Sequence, residues 1–183
     1  AAAEAIKGKF FVANEAGALT SLRDRKSAAA AARSVEENID LARFMVLLAA
    51  YGGREEYKSL AQSALQYLLA GESTVGVSQN GGVILADREV RGEPLHVTVV
   101  GAKKEAGALA LFEAGRRVFA SAKRLEWWDR SEGAMPNADV QYPEIGKPAA
   151  FVCTGKRCSL PVFDPVKLRK LIRDLAAADR KTE

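Results

Sequence analysis

The chain has 183 residues, of which 48% are hydrophobic and 27% charged, a composition typical of a soluble globular protein. Lys and Arg exceed Asp and Glu by 27 to 23, and these basic residues are spread along the chain instead of forming a stripe, which disfavours nucleic-acid binding. No apolar run approaches the ~20 residues needed to span a bilayer, so no membrane segment is predicted.

The first half of the chain is predicted to be mainly helical. A short hairpin is expected around the turn at 14–17, between two apolar segments. Ser34 and Glu37 form a capping box, the signature of a helix N-terminus, and apolar residues then recur at helical spacing up to Gly52-Gly53. A second amphipathic helix is expected over 54–70, and the short loop between the two predicts an antiparallel helical hairpin.

The pattern changes near residue 93. Residues 71–82 are predicted to be a loop, and 83–90 favours a short helix over a strand. A buried strand at 95–100, a helix at 106–119 and a second strand at 124–128 then follow in order. Strands joined through a helix pair in parallel, with a right-handed crossover.

The last part of the chain adds a second pair of strands and a helix. An irregular segment at 129–148 leads to a third strand at 149–153, and a tight turn leads to a short fourth strand. Asp164 is predicted to cap the final helix, with Pro165 at its first position. The fold class is therefore α+β, with a mainly helical part at 1–93 and a small α/β subdomain at 94–183.

The two cysteines, Cys153 and Cys158, lie on either side of that tight turn. They are interpreted in three ways: a structural disulfide, a pair of reduced thiols that pack together, or a redox pair. Lys156 and Arg157 supply positive charge that would favour a thiolate, but the usual redox motif is Cys-x2-Cys at a helix start. A cytosolic location favours reduced thiols, whereas a periplasmic location favours a disulfide.

Few other residues carry an obvious chemistry. Trp127 and Trp128 point to opposite faces of their strand, and an exposed tryptophan near Tyr142 would suit a carbohydrate or protein contact. His96 is the only histidine and lies in an apolar strand, so no histidine metal site and no nucleophile–histidine pair is predicted. We therefore predict no catalytic residues, no metal and no cofactor, and the sequence leaves open whether the chain is an enzyme.

The C-terminal pattern Cys153-x4-Cys158-x2-Pro161-Val162-x-Asp164-Pro165 resembles one known family. Val99-Val100-Gly101 at a strand end and Gly-Gly-Arg-Glu-Glu-Tyr at 52–57 add to this resemblance. The family is the YyaL-like, spermatogenesis-associated proteins, which carry a thioredoxin-like domain and an α/α-toroid similar to N-acylglucosamine 2-epimerases and six-hairpin glycosidases. The resemblance covers nearly the whole chain and is strongest over 149–168.

The resemblance implies that residues 1–93 are part of a toroid and that the chain is a C-terminal fragment, a subunit or a shortened relative. The implied function is a non-catalytic structural or interaction domain that contacts the remainder of its parent protein or a partner chain. A thiol–disulfide accessory module using Cys153 and Cys158, or a carbohydrate-binding or carbohydrate-modifying toroid domain, are the alternatives. A cytoplasmic location is expected, with a periplasmic one as the alternative, and no oligomeric state is predicted.

Overall fold

The structure is a computed structural model that describes residues 35–70, 81–155 and 157–179. Within these ranges the chain is an α+β protein with five α-helices and a four-stranded mixed sheet, as predicted. The hairpin expected at 14–17, the capping serine Ser34 and most of the loop expected at 71–82 lie outside the described residues.

Every helix and strand predicted within the described ranges is present, with ends that shift by a few residues. The helices are α1 (Val35–Gly52), α2 (Glu55–Leu69), α3 (Gly81–Arg91), α4 (Ala106–Arg116) and α5 (Pro165–Asp179). The strands are β1 (His96–Val100), β2 (Arg124–Trp128), β3 (Ala149–Thr154) and β4 (Arg157–Cys158). The irregular segment between β2 and β3 contains one short 3₁₀ helix, Arg130–Glu132.

The chain divides into two compact units. Among the described residues, the first takes in those up to Ala49 and those of Arg54–Gly92, and the second takes in Ala50–Gly53 and those from Glu93 onward. In the first unit α1, α2 and α3 share one apolar core, to which the predicted helical faces contribute. The guanidinium of Arg43 in α1 binds the buried carboxylate of Glu89 in α3 through Nε at 2.7 Å, and this hydrogen bond raises the pKa of Arg43.

The second unit is built on the sheet, whose strand order is β2-β1-β3-β4. β1 and β2 are parallel, as a strand–helix–strand connection predicts, whereas β3 is antiparallel to β1 and to β4. Because neighbouring side chains on a strand point to opposite faces, Val97 and Val99 face one side while His96 and Thr98 face the other. The two faces are covered differently.

Helices α4 and α5 cover the apolar face. Leu111 of α4 and both Leu168 and Ile172 of α5 are fully buried against it. Gly115 in α4 allows a close approach, since a Cβ there would lie 3.0 Å from Cδ1 of Leu125. The glycine that weakens this helix in isolation therefore serves its packing on the sheet.

The irregular segment at 129–148 covers the opposite face. Tyr142 is buried there against Phe151, with ring centroids 5.0 Å apart, and Met135 and Ile145 pack onto the same cluster. This segment lies where the alternating polar side chains of β1 and β2 emerge, so it also encloses the hydrogen-bonding groups of those strands.

Candidate functional site

The two cysteines form a disulfide across the β3–β4 hairpin. Cys153 and Cys158 are partners in the strand register, and their sulfur atoms are 2.03 Å apart. The turn between them contains Gly155 with φ at 54°, a backbone conformation that favours glycine. Cys153 is only 2% exposed, whereas Cys158 is exposed at the sheet edge.

The hairpin beyond the disulfide is held by few backbone contacts. β4 has only two residues, so the ladder with β3 is short. The backbone N–H of Ser159 donates to the carbonyl of Val152 at 2.8 Å, and Ala150 and Val162 exchange two bonds of 2.8 Å further along. The disulfide therefore reinforces one of the two residue pairs of this short ladder.

The disulfide lies at one end of a row of polar residues across the sheet. Arg124 is opposite His96 in β1, and His96 is opposite Cys153 in β3. Residues directly opposite each other share a face, so this row crosses all four strands on the side covered by 129–148. The row brings together the only histidine of the chain and the disulfide, which the sequence alone did not place side by side.

His96 belongs to a buried hydrogen-bond network. Its Nε2 lies 2.9 Å from Oε2 of Glu126 and 2.7 Å from Oγ1 of Thr98. Since an ionised carboxylate only accepts hydrogen bonds, Nε2 carries the proton in this arrangement. The hydroxyl of Tyr142 donates to the same Thr98 Oγ1 at 2.9 Å, and burial raises the pKa of Tyr142.

Arg124 connects this network to the covering segment. Its side chain is 2% exposed and forms an ion pair with Glu126 at 2.7 Å. Its Nη1 donates to Oδ2 of Asp139 at 2.7 Å, and its Nη2 donates to the carbonyl of Asn137 at 2.9 Å. A buried charge requires such pairing, so the guanidinium holds the 129–148 segment on the sheet.

The aromatic residues that the sequence suggested for surface contacts are engaged inside the second unit. Trp127 packs on Phe112 with ring centroids 5.2 Å apart, and its Nε1 donates to the carbonyl of Gly101. Trp128 lies on the opposite face, and its Nε1 donates to a backbone carbonyl of the covering segment. Tyr142 is 7% exposed. Their polar atoms therefore bind protein groups, and carbohydrate recognition stays a hypothesis.

The network around His96 was missed at the sequence level. A signal for it did exist, because His96 and Thr98 in β1, and Arg124 and Glu126 in β2, are polar residues two positions apart. That spacing puts each pair on one face of its strand. Which residues face one another depends on the parallel register, which the spacing does not supply.

The ranges 35–70, 81–155 and 157–179 contain neither a cluster of potential metal ligands nor a helix that could span a membrane. Within them no three His, Cys, Asp or Glu side chains are grouped as ligands for a metal ion. None of the helices there combines the length and the apolar character needed to cross a bilayer.

Comparison with known proteins adds no relative. The chain matches no protein-family model, no curated protein and no solved structure. Its function must therefore be argued from the residues themselves.

Proposed function

We propose that the chain is a non-catalytic structural and interaction domain of a larger protein, the role implied by its resemblance to the YyaL-like C-terminal region. The observation that carries this proposal is the Cys153–Cys158 disulfide, a cross-strand staple at the edge of the sheet. Its neighbour His96 is bound to Glu126 and Thr98 inside the unit. The residues with the most reactive chemistry thus have structural partners.

Exposed apolar side chains supply surfaces for contact in each unit. In the second unit Phe119 is 91% exposed and Leu160 is 85% exposed, although both are large and apolar. In the first unit Ile84 and Phe44 are 59% and 48% exposed. Single exposed apolar residues are common, but a phenylalanine this exposed is well suited to burial against another chain segment.

The interaction is tested by producing the chain together with the remainder of its parent protein and measuring co-elution. The variants Phe119→Ser and Leu160→Ser should each weaken co-elution, because they remove exposed apolar contacts without disturbing a core. Asp174→Ser, at an exposed polar position of α5, is the matched control and should leave it unchanged. Equal co-elution of all three variants would contradict the proposed surface.

A thiol–disulfide accessory role is the second candidate, and one observation favours it. Cys158 is exposed while Cys153 is buried, so an external thiolate would have access to only one of the two residues. Against it, the segment 101–105 before α4 carries no cysteine, although the start of a helix after a strand is where a Cys-x2-Cys redox motif belongs. Reduction of insulin disulfides by the chain would favour this candidate over the structural one.

A disulfide that is structural favours the periplasmic alternative, since oxidising compartments are where structural disulfides persist.

A further inference from the structure

The second unit contains a cavity of about 380 Å³ at the carboxyl ends of its two parallel strands. Val100 at the end of β1 and Asp129 just after β2 both line it. From β1 the chain continues to α4 on one face of the sheet, and from β2 it continues to the 129–148 segment on the other face. Ligands of open α/β sheets bind in this kind of crevice, where the connections of neighbouring strands part.

The walls of the cavity are largely apolar. Phe151, Ile145 and the ring of Pro148 line it, together with Val100. A Cβ at Gly107 in the first turn of α4 would lie 3.7 Å from Cγ of Pro148, so this ring also covers the start of the helix. The volume and the lining are those of a site for a small organic molecule with an apolar body.

The basic side chains at the cavity are engaged by the protein. The Arg130 guanidinium lies 4.4 Å from the ring centroid of Trp128, and its Nη2 donates to the carbonyl of Tyr142 at 2.8 Å. Nζ of Lys147 lies 4.0 Å from the ring centroid of Phe163. Arg130 is therefore engaged by the ring of Trp128 and by a carbonyl of the covering segment, and Lys147 by the ring of Phe163.

The acidic side chains differ in how far they are engaged. The Asp129 carboxylate accepts bonds from the backbone N–H of Lys103 and from Ser131, which lower its pKa. Glu105 precedes α4 without capping it, and Glu144 is 83% exposed with its nearest cation, Arg130, 3.8 Å away. Glu105 is thus a carboxylate of the lining that makes no capping hydrogen bond, and Glu144 is held by one long ion pair with Arg130, which the ammonium group of a ligand would have to replace.

We propose that this cavity binds a small organic cation, an amine whose apolar body fills the space between Phe151, Ile145 and Pro148. Its ammonium group would be bound at the rim by the carboxylates of Glu105 and Glu144. This inference does not depend on the proposed structural role. That role is argued from the disulfide, and neither cysteine lines the cavity.

The test is an NMR titration of the ¹⁵N-labelled chain with three probes of one shape: 3-phenylpropylamine, 3-phenylpropan-1-ol and 3-phenylpropionate. The amine should shift the amide signals of Gly101 and Gly146, which line the cavity, with a Kd on the order of 1 mM. The alcohol should bind about tenfold more weakly and the carboxylate not measurably. Added salt should weaken binding of the amine, since it screens the charges at the rim of the cavity.

Variants locate the binding site. Glu105→Gln and Glu144→Gln should each raise the Kd of the amine about threefold, the effect of losing one exposed ion pair. Ala102→Trp should abolish binding by filling the cavity from its rim, and Glu113→Gln, away from the lining, should change nothing. The proposal is overturned if the carboxylate or the alcohol binds as well as the amine, if Ala102→Trp has no effect, or if no probe shifts these amides at 10 mM, a concentration about tenfold above the expected Kd.

Discussion

Nε2 of His96 lies 2.9 Å from Oε2 of Glu126, and the same carboxylate oxygen binds Arg124 at 2.7 Å. One acceptor therefore serves two buried donors from neighbouring strands. Both side chains of the His96–Glu126 pair are at most 10% exposed, so neither can replace its partner with bulk water. This shared carboxylate is the centre of the polar network beneath the 129–148 segment.

Removing that carboxylate should destabilise the second unit strongly. Glu126→Leu leaves the buried Arg124 guanidinium without one of its two acidic partners, and such a loss costs about 3 kcal/mol in the free energy of unfolding. Arg124→Met should cost a similar amount. Urea denaturation of each variant measures the two costs separately.

The double variant Arg124→Met/Glu126→Leu should cost less than the sum of the two single changes, because it removes both charges at once. A coupling of about 2 kcal/mol is expected from this cycle. Strict additivity would mean that Arg124 and Glu126 do not stabilise each other in the folded protein, and the account of the shared carboxylate would be wrong.

The disulfide should contribute modestly to stability. It closes a loop with a sequence separation of only 5, and the chain-entropy relation gives about 2 kcal/mol for so short a loop. The double variant Cys153→Ala/Cys158→Ala should lose that amount of unfolding free energy. Its urea midpoint should therefore be lower, while the slope of free energy against urea concentration stays unchanged. An unfolded variant would show that the disulfide is required for folding. An unchanged urea midpoint would show that the disulfide does not stabilise the folded protein.

Asp164 should make the stability of α5 depend on pH at the acidic end. Its Oδ1 accepts the backbone N–H groups of Val166 and Lys167, and these bonds lower the pKa of Asp164 in the folded protein. A lowered folded pKa means that the stabilisation is complete above the unfolded value of about 3.9. It is lost as the pH falls from there through the folded pKa.

Two variants separate the capping oxygen of Asp164 from its charge. Asp164→Ala should lower Tm by a few degrees at pH 6, whereas Asp164→Asn, which keeps a capping oxygen, should lower it less. The difference in Tm between the wild type and Asp164→Asn should shrink as the pH falls below about 4, because the unfolded chain then binds the proton of Asp164 more readily than the folded protein does. A difference that stays constant from pH 7 to pH 3 would rule out the charge as its source.

Much of the fold was predictable because its signals are local. Periodicity placed α1 and α2, and the strand–helix–strand order gave the parallel pairing of β1 and β2. Asp164 followed by Pro165 predicted the start of α5, where two backbone N–H groups do bond to the aspartate. These features depend on residues within a few positions of one another.

The polar network could not be predicted because its partners are far apart in sequence. Tyr142 binds Thr98 across 44 positions, and His96 binds Glu126 across 30. The cysteine spacing was compatible with a disulfide, with packed thiols or with a redox pair. The cross-strand register that favours the first was not readable from the spacing alone.

The reduction midpoint of Cys153–Cys158 tests the central claim most directly. Thiol trapping and mass spectrometry of the chain in glutathione and dithiothreitol buffers give this value. A structural staple in a non-catalytic domain should stay oxidised down to about −300 mV. A midpoint near −200 mV, in the range of thiol–disulfide exchange proteins, would contradict the structural role and favour a redox function for these two cysteines.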